Sequence, residues 1–146
     1  MPAHPNALVL DSWSMIAYLE DEPAGERVAD IIADARTQRI PLWVSVVNAS
    51  EVWYTTARQT SASEADNCIA LIRSLGVKLD NAEWPIARQA GMFKSKYKMS
   101  LADCFAAALA RQKDGHLVTG DPEFKRVAGE IKILWLPFKV KKGARR

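Results

Sequence analysis

Ala7-Leu8-Val9-Leu10-Asp11-Ser12 is the stretch on which the fold of this chain turns. Four consecutive apolar residues are too few for a helix, and with an acid and a hydroxyl after them they describe a short buried strand. Asp11 then stands at the strand's carboxyl end. Asp11, Ser12 or Ser14 can cap a following helix that carries Met15, Ile16, Tyr18 and Leu19. In open α/β sheets, ligands bind beyond the carboxyl ends of the strands, so the first acid of the chain falls where chemistry is expected.

Outward from this point, the apolar periodicity alternates between short strands and amphipathic helices, the pattern of an α/β domain around a mostly parallel sheet. Pro23 opens a second helix through Val28, Ile31, Ile32 and Ala35. A strand at Leu42 to Val46 leads into a helix that carries Asn48 and Glu51 to about Arg58. Ser61 to Glu64 reads as a capping box for a helix ending near Gly76. Val77 to Leu79 is a brief strand, and another helix starts near Glu83. Ser100 caps a further helix, whose Ala102 to Ala110 run is too apolar for a surface element and which closes at Gly115. His116 to Thr119 is a strand, Gly120-Asp121-Pro122 a turn with proline opening a helix, and Ile133 to Leu136 the last strand. About five short strands result, in one domain over residues 1–138.

The chain has 146 residues, 49% of them hydrophobic and 25% charged, as expected of a soluble globular domain. No run is long and apolar enough to span a membrane, and Met1 to Asn6 lacks the layout of a secretory signal. A cytoplasmic protein is expected. Cys68 and Cys104 are far apart and form neither a disulfide framework nor a zinc motif. The net charge of +3 is concentrated in a basic tail at 139–146, which holds five of the 20 basic residues and no acid. Lys94, Lys96 and Lys98, interleaved with Phe93 and Tyr97, form a second cluster suited to phosphate contact beside base stacking, or to a solvated helix face.

Glycine-rich dinucleotide and phosphate loops are absent, as is a Gly-x-Ser-x-Gly elbow, and His4 and His116 are the only histidines. A phosphoaspartate site of the Asp-x-Asp type needs an acid where Trp13 stands. Four acids remain to be explained. Asp11 and Asp121 sit at strand ends, where each is also a good helix cap. Asp103 lies among Leu101, Ala102, Cys104 and Phe105, and Glu51 among Val47, Ala49, Val52 and Trp53. Ionised carboxylates are seldom buried without a partner. Two unit charges about 6 Å apart repel by nearly 3 kcal/mol at an effective dielectric of about 20, so four grouped carboxylates call for a cation. Hard oxygen donors suit Mg²⁺ or Mn²⁺.

In the order and spacing of Leu8-Val9-Leu10-Asp11-Ser12, Ser50-Glu51-Val52, Leu101-Ala102-Asp103 and Val118-Thr119-Gly120-Asp121-Pro122, the chain resembles PIN-domain ribonucleases, and most closely the VapC-type toxins of toxin–antitoxin pairs. The resemblance covers nearly the whole chain. It implies a three-layer α/β/α fold, Mg²⁺- or Mn²⁺-dependent endonucleolytic cleavage of RNA, homodimerisation and inhibition by a cognate antitoxin. Carried onto this sequence, it makes Asp11, Glu51, Asp103 and Asp121 the catalytic, metal-holding quartet. Ser12 and Thr119 supply hydroxyls that orient carboxylates or water. Lys94, Lys96 and Lys98 are expected to meet RNA phosphates. Of the five tryptophans, Trp13 and Trp53 lie two residues from a quartet acid and are candidates to line the groove. The competing reading from another class is a catalytically silent PIN-like module that binds RNA or an antitoxin.

Overall fold

The structure is a computed structural model and describes residues 4–137, so the basic stretch at 139–146 lies outside the described residues. Leu8–Leu10 (β1), Leu42–Ser45 (β2), Val77–Asp80 (β3), His116–Thr119 (β4) and Lys132–Trp135 (β5) form one sheet in the order β3-β2-β1-β4-β5. Every neighbouring pair is parallel. Parallel neighbours require crossover connections, and these are made by Ser12–Leu19 (α1), Pro23–Thr37 (α2), Val46–Gln59 (α3), Ala62–Ser74 (α4), Trp84–Lys96 (α5) and Leu101–Gln112 (α6). A 3-10 helix at Pro122–Val127 joins β4 to β5.

Side chains alternate across a strand, and β1 shows why its apolar run is unbroken. Leu8 and Leu10 enter one core with Met15, Val28, Ile32 and Ile72, while Val9 enters a second core with Phe93, Leu109, Leu117 and Phe124. The sheet is therefore covered on both faces, giving the three-layer α/β/α arrangement. Burying Phe93 and Phe124 completely contributes roughly 1.5–3 kcal/mol each.

Local chemistry moves several boundaries from their sequence-based positions. Val46 belongs to α3 rather than to β2, because the Ser45 hydroxyl accepts from the Val47 amide at 3.2 Å and turns the chain into a helix. β3 runs on to Asp80, while β5 starts and ends one residue earlier than read. Gly115 does not supply the left-handed stop of α6, since Asp114 takes that conformation, with φ of 49°. Glycine is needed there for close approach: a Cβ at position 115 would stand 2.4 Å from the Ala7 carbonyl oxygen.

From β1 the chain moves outward to β2 and β3, then returns to place β4 on the other side of β1. This reversal places the switch point of the sheet, where open α/β sheets bind ligands, at the carboxyl ends of β1 and β4. Asp11 and Thr119 lie at those ends.

Candidate active site

Asp11 is 1% exposed. It caps α1: Oδ1 accepts from the Ser14 amide at 2.8 Å, and the Ser14 hydroxyl lies 3.1 Å from the Asp11 amide, closing a capping box. The other oxygen, Oδ2, accepts from the Thr119 hydroxyl at 2.6 Å. Thr119 Oγ1 in turn accepts from the Asp121 amide at 3.1 Å. One hydroxyl thus joins the acid after β1 to the loop after β4. Burial pushes the Asp11 carboxyl up to about 6; its hydrogen bonds to Thr119 and Ser14 oppose the rise, and the Asp121 charge adds to it.

Glu51 projects from the second turn of α3, and its Oε1 accepts from Ser12 Oγ at 2.7 Å. That hydroxyl is itself an acceptor for the Asn48 Nδ2 at 3.0 Å, and the same nitrogen reaches the Ala102 carbonyl at 3.2 Å. The first turns of α1, α3 and α6 meet there. Beside them, Val46, Val47, Ser50, Glu51, Tyr54 and Ala102 line a largely apolar groove of about 390 Å³.

Asp103 stands in the first turn of α6, whose cap Ser100 accepts from the Asp103 amide at 3.1 Å. Its carboxyl is half-buried and pushed up to about 7, first by burial and then by the charges of Asp11, Asp121 and Glu51. All three other acids act on this one group. The four carboxylates, more than 100 residues apart at the extremes, therefore occupy one electrostatic neighbourhood at the end of the sheet.

The PIN domain model matches residues 8–130, a span that contains all four acids and both hydroxyls. The chain belongs to the PIN domain family. No curated protein matches the sequence, but the fold is shared with solved VapC-containing structures. VapBC2 from Rickettsia felis, bound to a DNA fragment from its promoter, aligns at a TM-score of 0.75 with 12% identity, over 89% of this chain and 98% of that one. DNA-bound VapBC from Salmonella typhimurium aligns at 0.73 with 18% identity, over 88% and 96%. Mycobacterium tuberculosis VapC20, described as a Sarcin-Ricin loop cleaving toxin, aligns at 0.64 with 17% identity, over 86% and 96%.

The donor set of this PIN domain is all oxygen and all acidic, which fits a hard divalent cation. Among the described residues, no group of three or more acidic, histidine or cysteine side chains stands close enough to hold a metal ion. Mg²⁺ keeps several of its waters and takes only one or two carboxylates directly. Among the same residues, no helix is long and apolar enough to cross a membrane.

Other residues singled out in the sequence are engaged within the chain. Lys94 Nζ donates to the Met99 carbonyl at 2.6 Å and Lys96 pairs with Glu130 at 3.1 Å, whereas Lys98 is engaged only through its backbone carbonyl, which accepts from Arg126. Trp13 lies over Gly120, where a Cβ would meet its ring at 2.3 Å. Trp53 turns away to α4, donating its indole N–H to Asp66 at 2.9 Å. Two residues join the site that the sequence reading passed over in this role: Ser14, three residues after Asp11, and Asn48, three residues before Glu51. Helical i, i+3 spacing was the available signal for Asn48, a lone amide in a valine-rich turn.

Proposed function

We propose that this PIN domain is a metal-dependent endoribonuclease that acts as the toxin of a type II toxin–antitoxin pair. The observation that carries the reading is that Thr119 ties Asp11 to the Asp121 loop and Ser12 holds Glu51, with Asp103 in the first turn of α6. Evolved folds seldom gather partly buried carboxylates at one end of a sheet without using them to hold charge of the opposite sign.

In this reading Asp11 and Asp103 would hold Mg²⁺ or Mn²⁺, with Asp121 and Glu51 as further acidic groups that could join them. When bound, the ion supplies charge neutralisation at the scissile phosphate and a more acidic water for in-line attack. Thr119 fixes the rotamer of Asp11 by donating to Oδ2, and Ser12 does the same for Glu51 through Oε1. Either Asp121 or Glu51 accepts the proton of the attacking water. Lys94, Lys96 and Lys98 hold RNA phosphates without choosing bases. RNA as substrate is supported by the activity ascribed to VapC20, and an antitoxin partner by the VapBC complexes of the same fold. A homodimer is part of the same proposal.

The test is cleavage of a structured RNA by purified protein with Mn²⁺, with EDTA, and after Asp11→Asn or Asp103→Asn substitution. Cleavage is expected only in the unsubstituted protein with metal, and circular dichroism should show both variants folded. A folded Asp103→Asn protein cutting at the unsubstituted rate would overturn the assignment. RNA binding with no cleavage under any metal would instead favour the silent binding module.

A further inference from the structure

We infer that Asn48 is a positioning residue of the nuclease site, acting on Glu51 through Ser12; this rests on the metal-dependent reading above. Asn48 is fully buried at the third position of α3. Its Nδ2 carries two protons and spends both, one on Ser12 Oγ at 3.0 Å and one on the Ala102 carbonyl at 3.2 Å.

The consequence for Ser12 follows from the hydroxyl's inventory, which is one proton and two lone pairs. Ser12 Oγ has two acceptors within reach, Glu51 Oε1 at 2.7 Å and the Asn48 backbone carbonyl at 3.4 Å. With a lone pair taken by Asn48 Nδ2, the hydroxyl is oriented, and its proton lies on the shorter path to Glu51. Asn48 thereby sets the polarity of the chain from amide to hydroxyl to carboxylate. The same logic holds at the end of β4, where the Asp121 amide occupies Thr119 Oγ1 and the Thr119 proton goes to Asp11. Two directed relays, each a nitrogen donor, a hydroxyl and an acid, flank the site.

The remaining atom of Asn48 is consistent with a fixed orientation of the amide. Asn48 Oδ1 is buried and has no hydrogen-bond partner among the described residues. Turning the amide over would give Oδ1 the Ser12 proton. It would also strip Glu51 of its donor and leave the Ala102 carbonyl facing an oxygen. The side chain keeps both donations and forgoes its own acceptor.

Removing groups that orient metal-holding side chains typically lowers metal affinity by about 10- to 100-fold. Mn²⁺ binding by isothermal titration is therefore the readout, on the full chain, for Asn48→Ala, Glu51→Gln and the double variant. Asn48→Ala is expected to weaken Mn²⁺ about tenfold or more in the native background and to add little once Glu51→Gln is present, because the relay then ends on no carboxylate. Thermal denaturation run in parallel identifies folded protein. If Asn48→Ala does not fold, Asn48→Leu, similar in shape, uncharged and without the amide donors, carries the comparison and should also weaken Mn²⁺. Unchanged Mn²⁺ affinity in the folded variant, or a loss of equal size in both backgrounds, would overturn the inference. Failure of the unsubstituted protein to bind Mn²⁺ would overturn the metal-dependent reading and, with it, this relay's role.

Discussion

The Thr119 hydroxyl donates to Asp11 Oδ2 at 2.6 Å while its oxygen accepts from the Asp121 amide at 3.1 Å. Two strands that are adjacent in the sheet and 108 residues apart in sequence are locked at their carboxyl ends by this one side chain. Thr119→Val keeps the shape and removes the hydroxyl. Asp11 then loses a hydrogen bond that favours its charged form, so its carboxyl should rise above about 6. The acid limb of the cleavage rate against pH should move to higher pH, and stability near pH 7 should fall by about 1–3 kcal/mol. Thr119→Ser should restore both. An acid limb that stays in place for Thr119→Val would show that the hydroxyl does not govern Asp11.

The raised carboxyls also predict an unusual stability profile for the metal-free protein. Asp11 and Asp103 titrate at about 6 and about 7 in the native state against an ordinary 3.8. Between these values the native state binds more protons than the unfolded chain, so stability falls as pH rises from about 4 towards 7. For fully buried Asp11 a displacement of about two pH units corresponds to about 3 kcal/mol; half-buried Asp103 contributes less after screening. Urea denaturation in EDTA should therefore give a lower midpoint at pH 7.5 than at pH 5, and saturating Mn²⁺ should reverse the order. Stability that rises across that range in EDTA would be incompatible with two proton-holding acids.

Gly120 separates Thr119 from Asp121 and supports Trp13. Modest in size, an alanine there would bring Cβ within 2.3–2.8 Å of three atoms of the Trp13 ring. Overpacking of this kind typically costs about 1–3 kcal/mol, and here it would also displace the two neighbours that build the site. Gly120→Ala should lower the urea midpoint and the cleavage rate together. Trp13→Leu, which removes the obstructing ring, should recover part of the stability lost in Gly120→Ala. Additive destabilisation in the double variant would locate the strain elsewhere.

Much of this was legible in the sequence, and the unread parts share a cause. The unbroken apolar run at Leu8–Leu10 gave the buried parallel strand, and Ser61 and Ser100 marked helix starts that the structure shows as caps. These signals are local, carried by period and by capping chemistry. Ser45 ended its strand one residue early through a contact two residues away, also local but weaker than the β-branched run around it. Asn48 and Trp53 were of another kind. What each does depends on what stands opposite, Ser12 and Ala102 for one and Asp66 for the other, and pairings between distant segments leave no mark in periodicity. The four acids drew notice in the sequence because they violate local expectation, being carboxylates in apolar surroundings; an amide in a helix violates it less.

The lysine cluster gives the last prediction. Lys96 already has a partner in Glu130 at 3.1 Å, and Glu130 also holds Arg111 at 3.0 Å and accepts from Tyr97. An RNA phosphate must compete with that carboxylate for Lys96, whereas Lys98 has no ion pair among the described residues. Lys98→Ala should therefore weaken RNA binding and reduce the salt dependence of log K by about 0.7, the value for one single-strand phosphate contact. Lys96→Ala should do less, since its charge is already offset. Glu130→Gln should act in the opposite sense, releasing Lys96 and Arg111 and steepening the salt dependence. None of these changes should move the cleavage position, because phosphate contacts carry no sequence information. Binding measured by fluorescence anisotropy across a salt series distinguishes the outcomes. A slope indifferent to Lys98→Ala and to Glu130→Gln would leave the cluster to its contacts within the chain, Lys96 with Glu130 and Lys94 with the Met99 carbonyl, with no part in RNA contact.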